Sequence, residues 1–222
     1  MVQENTKEGY ALKVRVKFAK EGVMKFIGHL DIMRYFQKAV KRANLDVAFS
    51  EGFSPHMIMS FASPLGVGIT STGEYFDMEL KSATTSSDMV KRLNDAMAEG
   101  MKILSIRQVE DGKASKAMSL VAAADYRLKF RETAKLPENW KEKLEEFKAQ
   151  KEIVILKKTK KSEKELDIRP FIYKLSLEEK DEIFMQLAAG SSNNTKPELV
   201  MEAFAAFMEI PYENLKFMIH RC

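Results

Sequence analysis

The sequence has little of several things that constrain a chain. Among 222 residues there is one cysteine, Cys222 at the last position, together with one tryptophan, three histidines, six prolines and ten glycines. A single cysteine excludes a disulfide framework, a cysteine-rich zinc site and a cysteine-held iron–sulfur cluster built from this chain alone, and it fits a reducing compartment. So few prolines and glycines exclude collagen-like and low-complexity readings. No apolar run approaches eighteen residues, and the opening MVQENTKEGY lacks the basic-then-apolar order of a signal peptide, so a cytoplasmic protein with no membrane partner is expected.

Against these absences, 45% of the residues are hydrophobic and 31% are charged. That balance is ordinary for a folded protein, and the length suffices for one large domain or two small ones. Thirty-six Lys and Arg face 32 Asp and Glu. The net charge of +4 conceals local asymmetry. Residues 12 to 42 carry nine basic residues against two acids, whereas residues 43 to 100 carry three against eight. A second basic block is Lys157, Lys158, Lys160 and Lys161.

Internal repetition organises the chain. Val14-Arg15-Val16-Lys17-Phe18 is matched by Tyr126-Arg127-Leu128-Lys129-Phe130 at an offset of 112, and Lys102 to Arg107 is echoed by Lys216 to Arg221 at 114. In the first half, alternation predicts a strand at 12–19, a helix at 30–43, short β runs at 47–50 and 57–62, a strand at 75–80, a helix at 89–98 capped from residues 85–88 and stopped by Gly100, and a strand at 102–109. The second half predicts a strand at 124–131, a helix at 138–149, strands at 152–158, 171–177 and 182–188, a helix at 197–208 capped by Asn194 or Thr195 with Pro197 in its first turn, and a strand at 215–220. Each half thus reads βαββαβ, giving an α+β fold of tandem ferredoxin-like units with antiparallel sheets. The expected domains are 1–110 and 121–222, joined by a linker at 111–120.

On the first helix, Ile32, Met33, Phe36, Ala39, Val40 and Ala43 fall on one side and Arg34, Lys38, Lys41 and Arg42 on the other. With Arg15 and Lys17 on the neighbouring strand, these cations form a candidate RNA-phosphate surface, against the plainer reading of a solvated helix face. The aromatic pair that stacks bases in RNA-recognition motifs is not evident on these strands. Gly28-His29-Leu30-Asp31 opens the helix: His29 suits anion binding or proton transfer, although His29 or Asp31 could equally cap the helix. Ser50-Glu51-Gly52-Phe53-Ser54-Pro55-His56 packs Ser, Glu and His into a Gly/Pro-shaped loop without the glycines of a nucleophile elbow. No spacing among His29, Asp31, Glu51 and His56 identifies a metal site. Pro64-Leu65-Gly66-Val67-Gly68 reads as a tight turn. In the second half, Asp167-Ile168-Arg169-Pro170 could hold Arg169 beside the basic block, or simply form a solvated hairpin tip. The 14 methionines read as core filling.

Phe26-Ile27-Gly28-His29-Leu30-Asp31, Lys41-Arg42-Ala43, Phe49 to His56, Ser60-Phe61-Ala62, Pro64-Leu65-Gly66, Glu74, Asp167-Ile168-Arg169-Pro170 and Lys196-Pro197-Glu198 resemble, in order, the motifs of the bacterial radical-SAM-linked domain of unknown function. The resemblance covers nearly the whole chain as a stand-alone member. One departure is Met57, near which members often carry a basic residue. The resemblance implies a companion of a radical SAM protein with no settled activity of its own, and joined to the basic face it gives the leading expectation, a non-catalytic accessory protein that binds or presents RNA. This chain would bind no cofactor, the iron–sulfur cluster and S-adenosylmethionine belonging to the partner. Ligand or partner contacts would fall on His29, Asp31, Ser50, Glu51, Phe53 and His56, with Asp167 and Arg169 in the second domain. Two alternatives stand beside it. One is a metal-independent ribonuclease using His29, since tandem ferredoxin-like domains with a His after the first strand look broadly similar to CRISPR repeat-RNA endonucleases, although their glycine-rich loop has no counterpart near Gly190. The other is a purely protein-binding adaptor.

Overall fold

The computed structural model describes residues 11–110, 112, 115–158, 163–190 and 194–222. The chain divides into two compact units, Met1–Val121 and Ala122–Cys222. Both are mixed α/β, and every strand pairing described in them is antiparallel.

Unit 1 runs β1 (Leu12–Lys20), α1 (His29–Arg42), β2 (Met59–Phe61), β3 (Thr70–Leu80), α2 (Ser86–Asp95), β4 (Met101–Gln108) and the single turn α3 (Ala117–Leu120), with strands in the order β4-β1-β3-β2. Alternation in β1 sends Val14, Val16 and Phe18 into a core shared with Ile32, Phe36 and Val40 of α1 and with Phe76, Met78 and Leu80 of β3. The rings of Phe18, Phe36, Phe61 and Phe76 form its centre, Phe36 lying 4.7 Å from Phe18 and 4.8 Å from Phe76 between centroids. Because side chains alternate with period two, Arg15 and Lys17 project from the other face of the sheet.

Several expectations for this half are corrected. The β run at 47–50 reduces to isolated bridges, Val47 to Leu80 and Phe49 to Met57, and only Met59–Phe61 of the second run is a strand. There the Ala48 amide donates to the Glu79 carbonyl at 2.8 Å and the Ile58 amide to the Ala48 carbonyl at 3.0 Å. The strand expected from 75 begins at Thr70. α2 ends at Asp95 with Ala96 as its C-cap, so Gly100 does not stop it. Instead Gly100, at φ +85°, brings its backbone against the Gly22–Phe26 turn, where a Cβ would sit 2.7 Å from the Glu21 carbonyl oxygen. Met57, the departure from the family pattern, is 5% exposed and serves the core.

Part of the segment read as a linker is structure. Arg15 donates to both oxygens of Asp77, at 2.8 and 3.1 Å, and to the Ser115 carbonyl, while the Ala117 amide donates to Asp77 at 2.7 Å. These bonds fasten the chain around α3 to β3.

Unit 2 runs β5 (Ala123–Phe130), α4 (Trp140–Ala149), β6 (Val154–Lys158), β7 (Glu163–Asp167), β8 (Ile172–Leu177), β9 (Glu182–Ala188), α5 (Pro197–Phe207) and β10 (Phe217–Arg221). Its sheet order is β10-β5-β9-β8. Leu128, Leu144, Phe147, Ile183, Met185, Leu187, Met201 and Phe204 are almost completely buried. The strand expected at 152–158 does not join this sheet: it pairs with β7 as a separate two-stranded hairpin. β7 escaped prediction because Glu163-Lys164-Glu165 alternates no apolar residues. Pro197 opens α5 as expected, but its N-cap is Lys196 without a side-chain bond, rather than Asn194 or Thr195. Lys160 and Lys161 lie outside the described residues.

Candidate functional site

α1 places its cations as helical geometry requires. Ile32, Phe36, Ala39 and Val40 are buried, and Arg34, Lys38, Lys41 and Arg42 are exposed over about 12 Å of helix at 1.5 Å per residue. Arg34 pairs with Asp31 at 3.2 Å in full view of solvent, and Arg42 donates to the Ala96 carbonyl at 2.8 Å. Lys38 and Lys41 have no ion-pair partner among the described residues.

The six cations expected to form one RNA surface do not. Arg15 and Lys17 stand on the sheet face opposite the one α1 covers. Arg15 is engaged with Asp77 and Ser115, its side chain only 20% exposed. Lys17 stands directly opposite Tyr75, with its Nζ 5.7 Å from the ring centroid.

The polar motifs also separate. Gly28 is the N-cap of α1 and makes no side-chain bond, and His29 is the first helical residue, so neither His29 nor Asp31 caps the helix. The His29 ring meets Phe61 edge-on at 5.5 Å. It lines a small cleft with Phe18, Lys20, Ile32, Ser63, Leu65 and Glu74. The Ser50–His56 loop is elsewhere, beyond the Phe49–Met57 bridge, where the chain lies alongside Leu80 rather than Glu74. Six residues along a strand span about 20 Å. There the Ser50 hydroxyl bonds His56 Nδ1 at 2.8 Å and accepts from the His56 amide at 3.1 Å, closing the loop on itself. Glu51 is exposed and Phe53 projects entirely into solvent.

The cleft contains two residues to which the sequence reading gave no site role, Lys20, counted only among the basic residues, and Glu74, noted only among the family motifs. Lys20 is 2% exposed and Glu74 4%. Burying charge is costly without partners, and the Lys20 ammonium donates to the Ile27 carbonyl at 2.8 Å. The available signal was parity: Lys20 shares the core-facing parity of Val14, Val16 and Phe18, and Glu74 that of Phe76, Met78 and Leu80. Charged residues at core positions mark a place built for polarity.

In unit 2, Asp167 and Arg169 sit at the base of the β6–β7 hairpin, not its tip. Asp167 accepts from the Ile153 and Arg169 amides at 2.8 and 2.9 Å. The Arg169 guanidinium donates to the carbonyls of Gln150 and Ile172, both at 3.1 Å. Both side chains are occupied in fastening the hairpin. Among the described residues, no group of three or more His, Cys, Asp or Glu is arranged to hold a metal ion, and no helix is long and apolar enough to cross a membrane.

The profile of a bacterial protein family, described as an uncharacterized protein conserved in bacteria (DUF2344), matches residues 13–197. No curated protein matches the chain. Among solved structures, the chain is similar to one of a Cbf5-Nop10-Gar1 complex, with TM-score 0.46 and 11% identity over 99% of this chain and 54% of that one. It is also similar to an archaeal box H/ACA sRNP Nop10-Cbf5 complex, with TM-score 0.43 and 11% identity over 94% and 46%. An unknown protein from Galdieria sulphuraria gives TM-score 0.28 and 14% identity over 96% and 99%. The chain spans about half the length of the first two. Likenesses this distant establish neither fold nor function.

Proposed function

Since the chain belongs to DUF2344, a bacterial family of uncharacterised proteins, we propose a function from its own surfaces: it is a non-catalytic accessory protein that binds RNA through the outer face of α1. The observation that carries this reading is the run of exposed Arg34, Lys38, Lys41 and Arg42 on a helix whose other side is anchored in the core. Several cations that reach one phosphate backbone add to its affinity, and a packed helix holds these four on one face. Electrophoretic mobility shift of total cellular RNA at low and high salt tests it. Binding at low salt that weakens steeply with added salt is expected. Absence of a shift at low salt refutes it.

Each unit is read as a ferredoxin-like module. Support comes from the βαββαβ order and from sheets in which the first and third strands are central, unit 2 carrying its extra hairpin between the first helix and the second sheet strand. The partner is read as a radical SAM protein, on the strength of the ordered motifs from Phe26 to Glu198 alone. Co-purification of the two after nuclease treatment is the expected result.

One observation favours a second reading, a metal-independent ribonuclease. His29 shares a cleft with buried Lys20 and Glu74, an assembly suited to proton transfer at a 2′-hydroxyl. RNA cleavage that persists in chelator and is lost in His29→Ala would establish it, and intact RNA after long incubation would eliminate it.

A further inference from the structure

We propose that the sheet face of unit 1 opposite α1, beside the part that the segment from Ser115 to Leu120 covers through Arg15 and Asp77, is a stacking site for the bases of single-stranded RNA, with Tyr75 as the platform and Lys17 and Arg107 as flanking phosphate contacts. The inference rests on the RNA-binding reading and adds a second surface, on the opposite side of the sheet from α1.

Three features of this face point to it. First, Tyr75 does not serve the core. Its chain neighbours Glu74 and Phe76 are 4% and 0% exposed and point inward, so the Tyr75 ring stands on the other face, half-buried. Lys17, its cross-strand partner, lies 5.7 Å from the ring centroid, and the phenol has no hydrogen-bond partner among the described residues.

Second, the face is basic beyond what the sheet can use. Arg107 of β4 stands directly opposite Arg15 of β1. Like charges facing one another across strands oppose folding. Asp77 relieves Arg15, but Arg107 is exposed and has no partner among the described residues. A cation kept at such a position suits an anionic ligand. A phosphate chain whose unstacked bases reach an aromatic ring is the ligand that this mixture of cations and ring fits.

Third, unit 2 carries the same combination independently. Phe184, on the third strand of that sheet, points away from the core that its neighbours Ile183 and Met185 occupy, and the Lys174 ammonium lies 4.9 Å over its ring. A cation beside an aromatic on the sheet face turned away from the core therefore occurs in both halves. Sequence reading missed both rings because Tyr75 and Phe184 lie on third strands, outside the first-strand runs in which the cations were conspicuous.

The test uses the full chain and a labelled single-stranded oligoribonucleotide of mixed sequence, with its duplex form for comparison, followed by fluorescence anisotropy at low salt. Tyr75→Ala is expected to weaken single-strand binding by about tenfold or more, the loss typical of one stacked base, and to leave duplex binding unchanged. Tyr75→Phe should retain binding within about twofold, because the ring face is what stacks. Lys17→Ala should lower the slope of log affinity against log salt by about 0.7, as expected for one lost contact to a single strand. This readout does not depend on the folding of Tyr75→Ala. If wild type binds and Tyr75→Ala binds equally well, the stacking site is refuted while the α1 reading stands. An equal loss in Tyr75→Phe also refutes stacking. If wild type binds no RNA, the underlying reading fails and takes this one with it.

Discussion

Asp77 accepts three hydrogen bonds in unit 1. Its two oxygens accept from the Arg15 guanidinium and from the Ala117 amide, and its side chain is 5% exposed. Removing one partner of a buried pair leaves the other charge desolvated and alone, so Asp77→Ala should cost about 3 kcal/mol in urea denaturation. An isosteric Asp77→Asn should lose less, because it keeps one acceptor. Tyr212 in unit 2 gives a pH signature. Burial, followed by the nearby Glu202 and Glu198 carboxylates, pushes its phenol up to about 12 from the ordinary 10.0. The folded state therefore favours the protonated phenol. Its contribution is complete below about pH 10 and is lost as pH rises through about 12. Ultraviolet titration should show a tyrosine step near pH 12, and Tyr212→Phe should abolish that step and remove its share of the alkaline destabilisation.

At the scale of elements, α2 shows how far local rules reach. Thr85 accepts from the Asp88 amide at 3.2 Å as the N-cap that its sequence announces. Thr85→Ala should cost about 1 kcal/mol, read by thermal unfolding. The same kind of reading located α1, β1 and α5, because each is marked by a strong period or by a Pro at a defined position. Other elements or their pairings escaped it. β7 lacks an apolar period, α3 exists through the bonds of Asp77 and Arg15, and β6 leaves the main sheet for a partner that could not be seen. The candidate sites divide in the same way. The face of α1 was legible from 3.6-residue spacing alone. The opposite orientation of Arg15 and Lys17 was implicit in the two-residue period of β1, but it took the packing of α1 against Val14, Val16 and Phe18 to assign which face each cation occupied. The grouping of His29 with His56 failed because a shared loop chemistry carries no information about which end of β3 each loop meets.

At the scale of the whole molecule, a chain with near-balanced charge carries its cations in organised places. Basic residues on α1 and on the sheet face of unit 1 are offset by acids in α2 and β3, several of them already paired, such as Asp88 with Arg92 and Asp95 with Lys91. Net charge therefore understates what a polyanion would meet. The central claim is that the outer face of α1 binds RNA phosphates, and the most direct test is the salt dependence of RNA affinity for the full chain and for the double variant Lys38→Glu, Lys41→Glu. Both positions are exposed and without described ion pairs, so the double variant should unfold within about 1 kcal/mol of wild type, part of it from the acid that Lys41→Glu places in the last turn of α1. Between about 50 and 200 mM salt, wild-type affinity should fall steeply, and the double variant should bind more weakly with a shallower slope. Equal affinity and equal slope in the two proteins would contradict the account.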